Sequence, residues 1–125
     1  MTKPAPRLYA RGNTSRTPGT MNKTEARRAE ALELRKRAGL LHDYAFEAVK
    51  LRLADNTFLT LDFLLIASDG TVELEDVKGR KGDSYYTTED ARVKIKVAAR
   101  MYPWFRIATV WEDKAGDWKR EEINP

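Results

Sequence analysis

Leu59-Thr60-Leu61-Asp62-Phe63-Leu64-Leu65-Ile66-Ala67-Ser68-Asp69-Gly70-Thr71-Val72-Glu73-Leu74-Glu75-Asp76-Val77-Lys78 carries two strands and the turn that joins them. Phe58–Ala67 is apolar enough for a central strand of a sheet. Ser68-Asp69-Gly70-Thr71 turns the chain tightly into a third strand, Val72–Lys78. Successive strand residues face opposite sides, so Asp76 and Lys78 leave the same face while Val77 points to the core. Counting outward from a turn centred near Asp69 sets Asp62 opposite Asp76 or within one residue of it. Glu75, on the face away from Asp76, reads as solvent-facing or as a strand-pair partner.

Outward from this hairpin the pattern stays regular. Tyr44–Leu53 alternates, with Val49, Leu51 and Leu53 on one side and Lys50 and Arg52 on the other, and Ala54-Asp55-Asn56 turns it into the next strand. Ahead of it, Asn22 and Glu25 have capping-box spacing, Lys23–Ala38 holds good helix formers, and Gly39 is the stop. Glu25, Ala29, Leu32 and Lys36 form one stripe of that helix, and His42 falls in the connection that follows. Beyond the hairpin, Gly79–Asp83 reads as a polar, mobile loop. A second helix runs from about Thr88 to Tyr102, capped by Thr87 or Thr88 and ended by Pro103. Ala91, Ile95, Ala98 and Tyr102 are its buried stripe, and Arg92, Lys96 and Arg100 its basic ridge. Phe105–Trp111 is a fourth strand, and Trp118–Ile123 adds a fifth. The order α-β-β-β-α-β predicts an α+β or α/β sandwich built on a three-strand meander.

The chain has 125 residues, which suits one domain. No apolar run approaches the roughly 18 residues of a membrane-spanning helix, and no apolar segment follows the basic N-terminus as a secretory signal requires. Cysteine is absent, which excludes disulfides, a thiol nucleophile and thiolate metal sites and fits a reducing compartment. Residues 1–20 read as a flexible basic tail, with Lys3, Arg7, Arg11 and Arg16 and no acid; residues 21–125 are the domain. The tail equals the whole net charge of +4, leaving the body balanced at 19 bases and 19 acids. A basic pI of this origin does not by itself mark a nucleic-acid face.

Asp62 interrupts an apolar strand, where a carboxylate is costly unless paired, hydrogen-bonded or bound to metal. Two carboxylates on neighbouring strands repel unless a cation lies between them. Aspartate oxygens without His or Cys favour a hard ion such as Mg²⁺, with Mn²⁺ able to substitute. Lys78 beside them is suited to stabilise charge developing on a phosphoryl oxygen or to orient attacking water. Together these make a kit for hydrolysing a phosphodiester bond. The plain alternative is an Asp76–Lys78 ion pair at a strand end, with Asp62 capping a turn.

Asp62-Phe63 after an apolar strand, a short turn and then Glu75-Asp76-Val77-Lys78-Gly79 resembles the PD-(D/E)XK nuclease superfamily. Asn22-Lys23-Thr24-Glu25, Val49-Lys50-Leu51-Arg52-Leu53-Ala54-Asp55, Ala91-Arg92-Val93-Lys94-Ile95-Lys96 and Tyr102-Pro103 look like a family of small phage and prophage proteins similar to Holliday-junction resolvases. The resemblance covers about Met21–Trp111, with Leu61 standing where the motif usually has Pro. It implies a restriction-endonuclease-like core, a central mixed sheet flanked by helices. It also implies Asp62, Asp76 and Glu25 as metal ligands, Lys78 as the catalytic lysine, and Lys96 or Arg92 near the phosphate. Arg92, Lys94, Lys96, Arg80 and Lys81 are the expected DNA contacts. The expected function is a Mg²⁺-dependent DNA endonuclease, phage-encoded and acting in the cytoplasm of a bacterial host, and junction cleavage implies a homodimer. The alternative is a non-catalytic nucleic-acid-binding module that keeps the nuclease fold.

Overall fold

A computed structural model describes residues 19–124, so nearly all of the basic lead-in read at residues 1–20 lies outside the described residues. The first helix, α1 (Lys23–Arg37), starts at the capping box expected of it. Asn22 Oδ1 accepts from the Glu25 backbone N–H at 2.7 Å, and Glu25 Oε1 accepts from the Asn22 N–H at 3.0 Å. The helix ends at Ala38, and Gly39 follows with φ +80°, a left-handed conformation that glycine adopts without penalty. Its buried stripe is Glu25, Arg28, Ala29 and Leu32. Lys36, expected to extend that stripe, instead reaches Asp43 at the surface, 3.1 Å away.

Five strands form one mixed sheet in the order β1-β2-β3-β6-β7. They are β1 (Leu41–Ala54), β2 (Thr57–Ala67), β3 (Val72–Val77), β6 (Arg106–Glu112) and β7 (Trp118–Glu122), with a two-stranded hairpin β4 (Arg80–Lys81) and β5 (Ser84–Tyr85) outside it. The expected meander is present, but it forms one side of the sheet, and β3 is the centre. There β3 pairs antiparallel with β2 and parallel with β6. A parallel neighbour requires a crossover. The hairpin and α2 (Glu89–Met101), N-capped by the Thr88 hydroxyl, supply it. His42 lies within β1 and is exposed, not in a connection. The segment read as a mobile loop is the β4–β5 hairpin, anchored by Trp111 Nε1, which donates to the Asp83 carbonyl at 3.1 Å.

Two apolar clusters hold the layers together. Ala29 and Leu32 of α1 pack with Tyr44, Phe46, Phe63, Leu65, Val77 and Val110. Ile95, Ala98 and Ala99 of α2 pack with Leu51, Leu61, Leu74 and Ile107. The long β1–β2 hairpin contributes to both. Its register slips between Phe46 and Val49, where Glu47 adopts φ +51°, and such a bulge bends and twists a strand. In β2 the change falls between Leu61, of the second cluster, and Phe63, of the first. Asp62 sits at that crossing. No helix among the described residues is long and apolar enough to cross a membrane.

Leu32 is the one large apolar side chain that α1 buries, and it is fully enclosed. Leu32→Ala is expected to destabilise the domain by about 2–5 kcal/mol, the range for a large-to-small change in a packed core. Urea unfolding of the two proteins measures it; a loss below about 1 kcal/mol would show that α1 is not held by this contact.

Candidate metal and catalytic site

The β2–β3 ladder ends at the pair Phe63↔Glu75. One residue further along each strand stand Asp62 and Asp76, so the register counted from the turn holds. Beyond the last rung, Asp62 takes over the work of the ladder, its Oδ2 accepting from the Val77 backbone N–H at 2.6 Å. Asp62 is buried, with 7% of its surface exposed. Glu25 reaches the same place from the first turn of α1, itself only 2% exposed. Glu25 hydrogen-bonds to Asp62, and Asp62 to Asp76. The capping-box acid is thus also the residue that reaches the strand acids.

Three carboxylates linked through Asp62 in a poorly solvated pocket have an electrostatic consequence. Burial, then the charges of Asp76 and Glu25, push the Asp62 carboxyl well above its ordinary range, against the opposing bond from Val77. Burial also raises Asp76, but the Lys78 ammonium counters it from 3.4 Å. The donor set is all oxygen, which suits a hard divalent cation. Either a proton or such an ion relieves the excess negative charge. Among the described residues no three His, Cys, Asp or Glu side chains already converge on one point in ligand geometry. What suits Mg²⁺ or Mn²⁺ here is the donor chemistry, carboxylate oxygen without nitrogen or sulfur, and not a ready-made geometry.

Asp76 and Lys78 open into a cavity of about 130 Å³, whose wall includes Arg92 and Lys96 of α2, Tyr85 and the buried Thr109. Two of the five expected DNA contacts therefore share this cavity with Asp76, while the buried Glu25 and Asp62 do not line it. Lys94 lies half-buried elsewhere on the helix, and Arg80 and Lys81 are exposed on the β4–β5 hairpin. A wider, more open cavity of about 490 Å³ continues past Tyr85, Arg92 and Glu121 to Trp111 and Arg120. Tyr85 Oη donates to Glu121 at 2.6 Å. Burial and that carboxylate push the phenol up to about 12, so Tyr85 is a hydrogen-bond donor at neutral pH and not a base.

The largest departure from the sequence reading is Glu75. It is 1% exposed and so not solvent-facing; it does stand opposite Phe63 and Ala108 in the sheet, but its side chain turns to α1. Arg28 of α1 grips it with two bonds, Nε to Oε1 at 2.9 Å and Nη2 to Oε2 at 2.6 Å. The Arg28 guanidinium carbon also lies 5.0 Å from the ring centroid of Trp118 in β7, a cation–π contact. Alternation contained the signal, since Glu75 shares a face with Val77, and Val77 is core. Trp104 is 70% exposed and meets Tyr102 edge-on.

A five-strand mixed sheet with two helices defines an α+β domain, and its most unusual polar feature is the Glu25–Asp62–Asp76 cluster with Lys78. Comparison of the chain with protein-family models, with curated proteins and with solved structures returns no match.

Asp62→Asn keeps an oxygen to accept from Val77 and removes the charge. Because the folded-state pKa of Asp62 lies above the ordinary 3.8, ionising it opposes folding. That opposition is absent below the ordinary value and complete above the folded one. In EDTA, Asp62→Asn is therefore expected to be the more stable protein at pH 7, with an advantage that grows from pH 4 upward. Urea titrations of both proteins across that range test this; an advantage that shrinks as pH rises contradicts it.

Proposed function

We propose that the chain is a metal-dependent nuclease that hydrolyses phosphodiester bonds in DNA. The observation that carries the reading is the meeting of Glu25, Asp62 and Asp76, from three different elements, at the end of a central strand beside Lys78. Buried acids are costly even where they also serve the backbone, and several in one place cluster where function requires them. Glu25, Asp62 and Asp76 would hold a Mg²⁺ ion. Once bound, such an ion neutralises the phosphodiester and makes water more acidic.

The remaining chemistry belongs to this chain's own groups. Lys78, now paired with Asp76, turns its ammonium toward a phosphoryl oxygen as negative charge builds there. Arg92 and Lys96, on the cavity wall, hold the phosphate being cut and its neighbour. Val77 fixes one oxygen of Asp62, so that the carboxylate is oriented before substrate arrives. Arg80 and Lys81 extend the basic rim along the β4–β5 hairpin. The resemblance to resolvase-like phage proteins adds branched DNA as substrate, a homodimer as the working form and the cytoplasm of a bacterial host as the setting.

The deciding experiment incubates wild type and Lys78→Ala with junction, flap, linear duplex and single-stranded DNA, in Mg²⁺, Mn²⁺ or EDTA. Wild type is expected to cleave at least one of these with Mg²⁺ or Mn²⁺ and none in EDTA. Lys78→Ala is expected to lose about 10²-fold or more of that rate, as removal of one charge-stabilising donor does elsewhere. DNA binding that is indifferent to metal and to Asp62→Ala, with no cleavage of any substrate, would leave a non-catalytic binding module and sink the nuclease reading.

A further inference from the structure

We infer that the buried Arg28–Glu75 pair is a positioning device: it fixes the α1 acid, Glu25, against the strand acids and so sets the affinity of the site for its metal ion. The inference rests on the proposed function above and names two residues that take no part in the chemistry. Arg28 follows Glu25 by one helical turn, and Glu75 directly precedes Asp76. The pair therefore ties a point beside one acid to a point beside another, between α1 and the central strand β3. Glu75 faces away from Asp76 on its strand, so it is not itself a ligand.

The form of the contact matches that task. Two parallel bonds of 2.9 and 2.6 Å fix angle as well as distance, which a single bond does not. Trp118 covers the guanidinium, so α1, β3 and β7 are locked at one point. The apolar anchorage of α1 is slight by comparison, Ala29 and Leu32 alone, and apolar contacts do not specify a register. Stability is a poor explanation for the pair, because well-packed apolar residues commonly replace a buried ion pair without loss.

The test uses the full chain and Mn²⁺ itself, with binding followed by the electron paramagnetic resonance of free Mn²⁺ and folding by thermal melts. Wild type, Asp62→Asn, Glu75→Gln and the double variant Arg28→Met/Glu75→Leu are compared. The double variant is expected to melt within a few degrees of wild type yet bind Mn²⁺ about tenfold or more weakly, the range for losing a partner that orients ligands. Glu75→Gln, which keeps the shape and one of the two bonds, is expected to fall between them, and it carries the test if the double variant does not fold. A merely structural pair moves the melting temperature and leaves the affinity of the folded protein alone. Mn²⁺ affinity within twofold of wild type in both folded variants, while Asp62→Asn abolishes binding, overturns this inference and leaves the nuclease reading standing. Absence of Mn²⁺ binding by wild type overturns both.

Discussion

The structure turns on the point where β2 and β3 part company. Above it the two strands share a regular antiparallel ladder; at Asp62 the ladder ends, and a carboxylate accepts the backbone N–H that it would have served. This substitution keeps the Val77 N–H satisfied in a buried position, where an unpaired group costs about 1–3 kcal/mol. It also anchors one oxygen of Asp62 and brings the side chain against Asp76 and Glu25. A backbone requirement and a cluster of acids are thus met by one residue.

Concentrating negative charge in this way is tolerable only with compensation nearby. Lys78 offsets Asp76, and the Asn22 and Glu25 backbone N–H groups at the positive end of α1 favour an acid in its first turn. Neither removes the burial of Asp62 or its repulsion by Asp76 and Glu25, and these in that order hold its carboxyl above the ordinary range. A site in this condition favours a small, doubly charged, oxygen-seeking ion over an apolar ligand. The two clusters of core residues lie on either side of it, so the acids occupy a seam and not the interior of either cluster.

The Arg28–Glu75–Trp118 contact works on the other side of β3. It has the directional character that the apolar packing of α1 lacks, and it lies next to the site in sequence at both ends. The sheet therefore carries two polar systems back to back on one strand. Asp76 and Lys78 look into the cavity beneath α2, and Glu75, with Val77 beyond it, faces α1. Alternation along β3 keeps them apart.

Much of this was written in the sequence. Period-two alternation and the Ser68–Thr71 turn fixed β2, β3 and their register, which is why Asp62, Asp76 and Lys78 could be grouped before any coordinates. Capping signals placed both helices, because the Asn22–Glu25 box and the Thr88 hydroxyl act within a single turn. Local physics did not decide what lies across a gap. The parallel pairing of β3 with β6, the central place of β3 and the β4–β5 hairpin depend on how distant segments pack. So does the fate of Arg28 and Glu75: each is an ordinary charged residue in its own stretch, and only the docking of α1 on the sheet makes them a buried pair. Asp62 stood out from sequence as an acid with no local reason to be in an apolar strand. The tertiary structure supplied the reason, because the Val77 N–H, Glu25 and Asp76 meet it only once three separate elements have come together.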